Sequence, residues 1–252
     1  MVTGQLAAAR LTPETSAAFD RYVALAETRM KGELPPDHFI GATPDIRAKL
    51  RAGDLRIEPR ASLDNGKAVK VPDGMIQDFA GMIFIPGATI AQVKTVFQDY
   101  PNYTEFYKPE VTESKQTGHS GDEYDVFLRL YKKHILTAVL NSNYRVVYAM
   151  PDAKRMTVTS RSKRIAEVKN AGKANESEEP VGNDTGFLWR LNSYWRFEEA
   201  DGGVYAQCEA ISLSRDVPLG LGFMLKGFLE KFPKESMVNT LRGTKSAVLK
   251  IR

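Results

Sequence analysis

Asp201-Gly202 is a two-residue turn signal between stretches that alternate in polarity, residues 187–199 and 203–214. Such a turn joins antiparallel strands, sets their register, and thereby assigns every side chain to one of two faces. Trp195 then stands opposite Cys208. One face carries Trp189, Leu191, Ser193, Trp195 and Phe197 with Val204, Ala206, Cys208, Ala210 and Ser212. The other carries Arg190, Asn192, Tyr194, Arg196 and Glu198 with Tyr205, Gln207, Glu209, Ile211 and Leu213. We expect the first face to be buried and the second to be largely solvated, or polar for a reason. On the buried face large aromatics oppose small residues, which leaves room for a helix, a ligand or both to lie on the sheet.

More strands precede this hairpin. Segments rich in Val, Thr, Tyr and Phe fall at about 111–118, 123–133, 136–150 and 155–168, separated by turn residues such as Ser120-Gly121-Asp122 and Pro151-Asp152. Residues 169–184 read as a polar loop. Upstream, the apolar run Met82 to Ile85 stops at Pro86-Gly87, and Ile90, Val93, Val96 and Phe97 follow at helical spacing. A last helix is expected after Pro233, where Met237, Leu241, Thr244 and Val248 share a face. This pattern predicts an α+β fold in which about seven strands face one long and one shorter helix. So few helices leave part of a strongly curved sheet uncovered, and a cavity results.

Residues before about 70 follow a different pattern. Thr12-Pro13 opens an amphipathic helix through Phe19, Tyr22, Val23, Ala26 and Met30, ending near Gly32. Thr43-Pro44 opens a second with Ile46 and Leu50 on one face, and Asn65-Gly66 marks a tight turn. We divide the chain into an N-terminal helical extension, residues 1–70, and a main domain, residues 71–252. A chain of 252 residues is long enough for one domain with such an extension.

Several functions are disfavoured. Lys and Arg number 35 against 31 Asp and Glu, and the resulting +4 charge without a basic groove argues against a nucleic-acid partner. His38, His119 and His134 lack metal-ligand spacing, so no metal is expected. Gly220-Leu221-Gly222 is no dinucleotide loop, so no cofactor is expected either. No Gly-x-Ser-x-Gly elbow occurs, and Cys208, on the buried face, reads as a small hydrophobe rather than a nucleophile. No apolar run reaches the roughly 20 residues that span a bilayer. Ala7-Ala8-Ala9 looks like the small-residue end of a signal peptide, or equally a frayed helix lead-in, which leaves the compartment of a soluble chain open between cytoplasm and periplasm or exterior.

The order strand, helix, antiparallel strands, C-terminal helix resembles the START-like, or SRPBCC, helix-grip superfamily. Three stretches carry the likeness: Pro86 through Asp99-Tyr100-Pro101-Asn102-Tyr103 to Ser114, Asn192-Ser193-Tyr194-Trp195-Arg196-Phe197 with its Asp201-Gly202 turn, and Ser214-Arg215-Asp216-Val217-Pro218. The resemblance implies a curved antiparallel sheet wrapped around the C-terminal helix, with a hydrophobic cavity that binds or carries a lipid, isoprenoid or polyketide-like molecule. Trp189, Leu191, Trp195, Phe197, Cys208 and Ala210 are the expected wall, with Phe106 and Tyr107, beside Tyr103, at its opening. Phe223, Met224 and Phe228 belong to a glycine-punctuated apolar stretch between Pro218 and Phe232 that reads either as core or as a portal in transient contact with a membrane surface. Arg161, Lys163 and Arg164 with Lys132 and Lys133 form a basic stretch, read as a solvated face or as a contact for anionic headgroups. Two other functions stay open: a cyclase, dehydratase or hydrolase, which would need Glu209 or Arg196 inside the cavity, and an interaction module docking through residues 11–70.

Overall fold

Apolar strands with polar turns between them form one open antiparallel sheet. The computed structural model describes residues 9–32, 38–133, 137–216 and 222–251, and their side chains except at 9, 133 and 222–232. The main strands are β1 (Arg56–Pro59), β2 (Gly74–Pro86), β3 (Val111–Ser120), β4 (Glu123–Lys133), β5 (Thr137–Asp152), β6 (Arg155–Lys169), β7 (Arg190–Ala200) and β8 (Gly203–Arg215). They run in the order β1-β2-β8-β7-β6-β5-β4-β3, and the short strand Ser177–Glu178 adds a ninth beside β6. Residues 169–184, expected as loop, thus contribute a strand, and Asn183–Asp184 pairs with Ala9–Arg10. Trp195 pairs with Cys208 as expected. The turn has positive φ at both Asp201 (54°) and Gly202 (76°), the conformation whose twist suits a two-residue hairpin.

Among the described residues four longer helices complete the fold, α1 (Pro13–Gly32), α2 (Pro44–Arg51), α3 (Ile90–Gln98) and α4 (Gly222–Lys250), with a single helical turn at Tyr103–Phe106. α3 opens with a capping box in which Thr89 and Gln92 satisfy each other's backbone N–H. α4 runs through Pro233 rather than starting after it. Proline removes one backbone donor from a helix interior, and here the helix continues on both sides of that gap.

α3 and α4 lie on the face that carries Trp195 and Cys208. Val93, Val96 and Phe97 of α3 and Met237, Leu241 and Val248 of α4 join Ile83, Ile85, Trp195, Phe197 and Val204 in one core. This is the helix-grip fold, with a sheet held against a C-terminal helix. The approach is close at Gly81, where an added Cβ would lie 2.7 Å from Leu241 Cδ1 and 2.9 Å from Met237 Cγ.

The opposite face is covered as well, which corrects the expectation that it is largely solvated. Phe19, Tyr22 and Ala26 of α1 pack on Ile211 and Leu213, while Leu50 of α2 packs with Met82, Phe84 and Tyr205. The stretch before residue 70 also supplies the edge strand, since Ile57 of β1 pairs with Gly81. Beneath α1 lie two buried carboxylates, Asp78 and Glu209. The Arg29 guanidinium donates to Glu209 and lies 3.4 Å from Asp78 Oδ2, and the Tyr22 hydroxyl donates to Asp78 Oδ2 at 2.9 Å. Burial, reinforced by the neighbouring Glu209 charge, pushes Asp78 up to about 7. Glu209 and Arg196, which an enzymatic cavity would require, therefore stand on the face away from Trp195; Arg196 donates to Met30 O of α1 at 2.7 Å.

Candidate functional site

Between the sheet and the N-terminal half of α4 lies a cavity of about 340 Å³. Its origin can be read from two neighbouring rows of side chains across the sheet. One row runs Val158, Trp195, Cys208, Gly81, and α4 settles on its small end. Two residues along the strands, the next row runs Ser160, Ser193, Ala210, Phe79, too small in its middle to fill the space beneath the helix. All four of these residues line the cavity.

The far wall belongs to β4 and β5. Val126 and Leu128 alternate on one strand and Tyr144, Val146 and Tyr148 on the next, all facing the cavity. Phe97 of α3 and Met237 of α4 close the remaining sides. Phe97 meets Trp195 edge-on at 5.2 Å and Phe197 at 4.9 Å, while Trp195 and Phe197 stack at 5.3 Å. Tyr148 and Tyr103 both donate to Phe97 O, at 2.6 and 2.7 Å, and Tyr100 bonds Tyr148 at 2.7 Å. These bonds fix the aromatic end of α3 to the wall.

The wall is electrically neutral. Burial pushes the Cys208 thiol well above its ordinary value and Tyr107 up to about 12, and it raises Tyr148 further. Among the described residues, charged groups reach the cavity only where they are half-buried or exposed: Glu110, Lys132, Arg215 and Asp216. Glu110 accepts from Lys132, from Ser236 Oγ at 3.2 Å and from Asn239 Nδ2 at 2.8 Å, tying α4 to the sheet at this rim. Glu167 accepts from Thr185 N, Thr185 Oγ1 and Phe187 N at 3.1, 2.7 and 2.9 Å, so one buried carboxylate positions the rim segment 185–187.

Of the residues expected at the cavity, Leu191, Trp195, Cys208, Ala210 and Tyr107 line it, with Tyr103. Phe197 lies behind the wall in the core, and Phe106 packs against that core, with its carbonyl 2.7 Å from where a Cβ on Gly243 of α4 would stand. Trp189 is a correction. It precedes β7, where the alternation no longer holds, and it packs with Phe19 and Tyr22 of α1 while its Nε1 donates to Asp184 at 3.0 Å. The side chains of Phe223, Met224 and Phe228 lie outside the described residues. The basic stretch is ion-paired: Arg161 with Glu27, Lys163 with Asp125, Arg164 with Glu178 and Lys132 with Glu110. The Lys133 side chain lies outside the described residues. Tyr144, Val146 and Tyr148 were not anticipated, although their period-2 spacing in 144–148 matches that used for the last hairpin.

Among the described residues no group of His, Cys, Asp and Glu could hold a metal, and no helix is long and apolar enough to cross a membrane. No protein-family model and no curated protein matches the chain. Similar solved structures include START-related proteins and an aromatase/cyclase. They include the Zhui aromatase/cyclase from Streptomyces sp. R1128 (11% identity over 71% of this chain and 97% of that one, TM-score 0.49). Human STARD10 has 9% identity over 86% of this chain and 83% of its own, with a TM-score of 0.48. A STAR-related lipid transfer protein from Xanthomonas axonopodis has 15% identity, coverage of 72% and 96%, and a TM-score of 0.44. Identities and scores this low leave function to the geometry of the cavity.

Proposed function

We propose that this chain binds and carries a hydrophobic small molecule, of the lipid, isoprenoid or polyketide class, in the cavity between the sheet and α4. One observation carries the reading: an apolar cavity of about 340 Å³ whose charged groups, among the described residues, are confined to the rim. That volume falls within the roughly 300–1,000 Å³ typical of small-molecule sites. Affinity comes from burying apolar ligand surface, at about 25 cal/mol per Å². Leu191, Trp195, Cys208, Ala210 and Tyr107 form the contact surface. Carriage is favoured over catalysis because, among the described residues, the deep wall offers neutral phenols, hydroxyls and a thiol, and Glu110 is engaged by three donors.

The test is binding of the apolar fluorophore N-phenyl-1-naphthylamine, together with native mass spectrometry of gently purified protein. Saturable binding near 1:1, weakened about tenfold or more by Trp195→Ala, is expected. No saturable binding to the folded wild-type chain, with no co-purifying apolar molecule, would overturn the reading.

A further inference from the structure

The cavity floor changes character along the strands. One cross-strand row, Tyr148, Val158, Trp195 and Cys208, is buried throughout, with Phe97 against Trp195. Two residues along, Ser160 of β6 and Ser193 of β7 stand opposite each other, and two further along comes Ser212 of β8, opposite Leu191. Beyond Ser212 the lining reaches Arg215 and the exposed residues Thr185 and Asp216. The cavity therefore has a closed, aromatic end and a mouth at these strand ends, and β8 alone reads Cys208, Ala210, Ser212 from one to the other. The three serines share the face of Trp195, line the cavity and are half-buried, and none is hydrogen-bonded to another described residue. Each hydroxyl can donate one hydrogen bond and accept two. Ser193 is directly opposite Ser160 and diagonal to Ser212, which puts both within roughly 8 Å of it. One ester, acid or alcohol group with its hydrogen bonds covers that span.

We propose that the cavity takes an amphipathic molecule tail-first: the apolar part lies against Trp195, Phe97 and Val146 at the closed end, and an oxygen-bearing head, an alcohol, ester or acid, is hydrogen-bonded by Ser193 with Ser160 or Ser212 and points to the mouth. This rests on the cavity reading above and adds the orientation and the chemistry of the head. Two effects act in the same direction. Apolar surface gains most where burial is complete, at the closed end. An oxygen placed there would lose its water and find the Tyr148 hydroxyl already engaged with Phe97 O and Tyr100. On the serines the same oxygen keeps hydrogen bonds, replacing water that meets these hydroxyls in the free chain. Charge selects little, because the mouth holds both signs: Lys132 pairs with Glu110, and Arg215 is followed by Asp216. Recognition of the head is therefore by hydrogen bonds.

The test uses 2-bromododecanoic acid and 12-bromododecanoic acid, which carry the same heavy-atom quencher at opposite ends, with 2-ethylnaphthalene as a control that has no oxygen. In a Trp189→Phe chain Trp195 is the one remaining indole. At saturation the 12-bromo acid should quench most of the Trp195 emission and the 2-bromo acid little of it. Soaked into crystals of the unsubstituted chain, the bromine should lie beside Trp195 for the first acid and near Ser212 for the second, which reads the orientation without the Trp189 substitution. Ser193→Ala combined with Ser212→Ala should weaken both acids about tenfold, the range of one to two hydrogen bonds, while shifting 2-ethylnaphthalene less than about twofold. Equal or stronger quenching by the 2-bromo acid overturns the orientation. Serine variants that leave the acids unchanged, or weaken the hydrocarbon as much, overturn the head site. If 2-ethylnaphthalene binds and neither acid does, this inference falls and the cavity reading survives. If none of the three binds the folded wild-type chain, both readings fall together.

Discussion

Trp195 faces Cys208 across β7 and β8, and Gly81 lies beyond Cys208 on β2. Side-chain bulk therefore falls from indole to thiol to hydrogen across three adjacent strands. The helix takes the low end. Where a helix and a sheet meet this closely, a single methyl group is enough to force them apart.

Gly81→Ala should accordingly destabilise the chain by roughly 1–3 kcal/mol, the usual range for overpacking. The offending contacts are Leu241 Cδ1 and Met237 Cγ. In a Leu241→Ala background the added loss should shrink, because the nearest atom is gone. Urea denaturation of the four chains of this cycle measures the coupling.

The buried carboxylates under α1 make stability depend on pH. Asp78 is raised to about 7 in the folded chain from an ordinary value of 3.8, so between those limits the folded chain binds more protons than the unfolded one. Stability contributed by this group is then present in acid and lost as pH rises from about 4 to about 7. Asp78→Asn should flatten this fall when unfolding free energies at pH 5 and pH 7 are compared. An Asp78→Asn chain with the wild-type slope would count against the assignment.

Removing Arg29 attacks the same cluster from the other side. Arg29→Met leaves two buried carboxylates without their cation, and loss of one partner from a buried ion pair typically costs about 3–5 kcal/mol. Because α1 is held by that cluster, limited proteolysis should cut between α1 and α2 sooner in this variant than in wild type.

Glu167 should govern the rim without touching the ligand. Glu167→Ala strips acceptors from Thr185 and Phe187, so amide hydrogen exchange at 185–187 should quicken by tenfold or more. Release of the apolar fluorophore, followed by stopped-flow, should quicken with it while exchange in β7 and β8 stays slow.

Cys208 should resist alkylation. A fully buried thiol held above its ordinary pKa presents almost no thiolate at pH 8. Iodoacetamide should modify the folded chain slower than free cysteine by on the order of a hundredfold. Urea should abolish this protection.

The last hairpin was legible because one turn of two residues sets the partner of every residue in it. The ends of that inference are physical too. Trp189 lies one residue outside β7, where side chains no longer alternate by ladder pairing, and it turns to α1. Glu209, Asn192 and Ile211 read as an outer face because the sequence around them does not say which distant helix covers it; α1 lies more than 150 residues earlier in the chain. Tyr144 was missed for a different reason. Its strand alternates as clearly as β7, yet nothing in that alternation marks which face holds a cavity until the small residues Ser160, Ser193 and Ala210 are aligned on neighbouring strands.

The strand order also sets a timetable. Pro86 of β2 pairs with Gly203 of β8, about 120 residues downstream, whereas β3 through β6 each pair with the strand made just before or after. As the chain leaves the ribosome, those hairpins can close in turn while β2, with Met82, Ile83, Phe84 and Ile85 apolar on both faces, waits for its partner. The strand on which α4 will rest is thus the first long one synthesised and among the last to be sheltered. β1 and α2, which emerge earlier and pack against this strand, are placed to shield it during the interval.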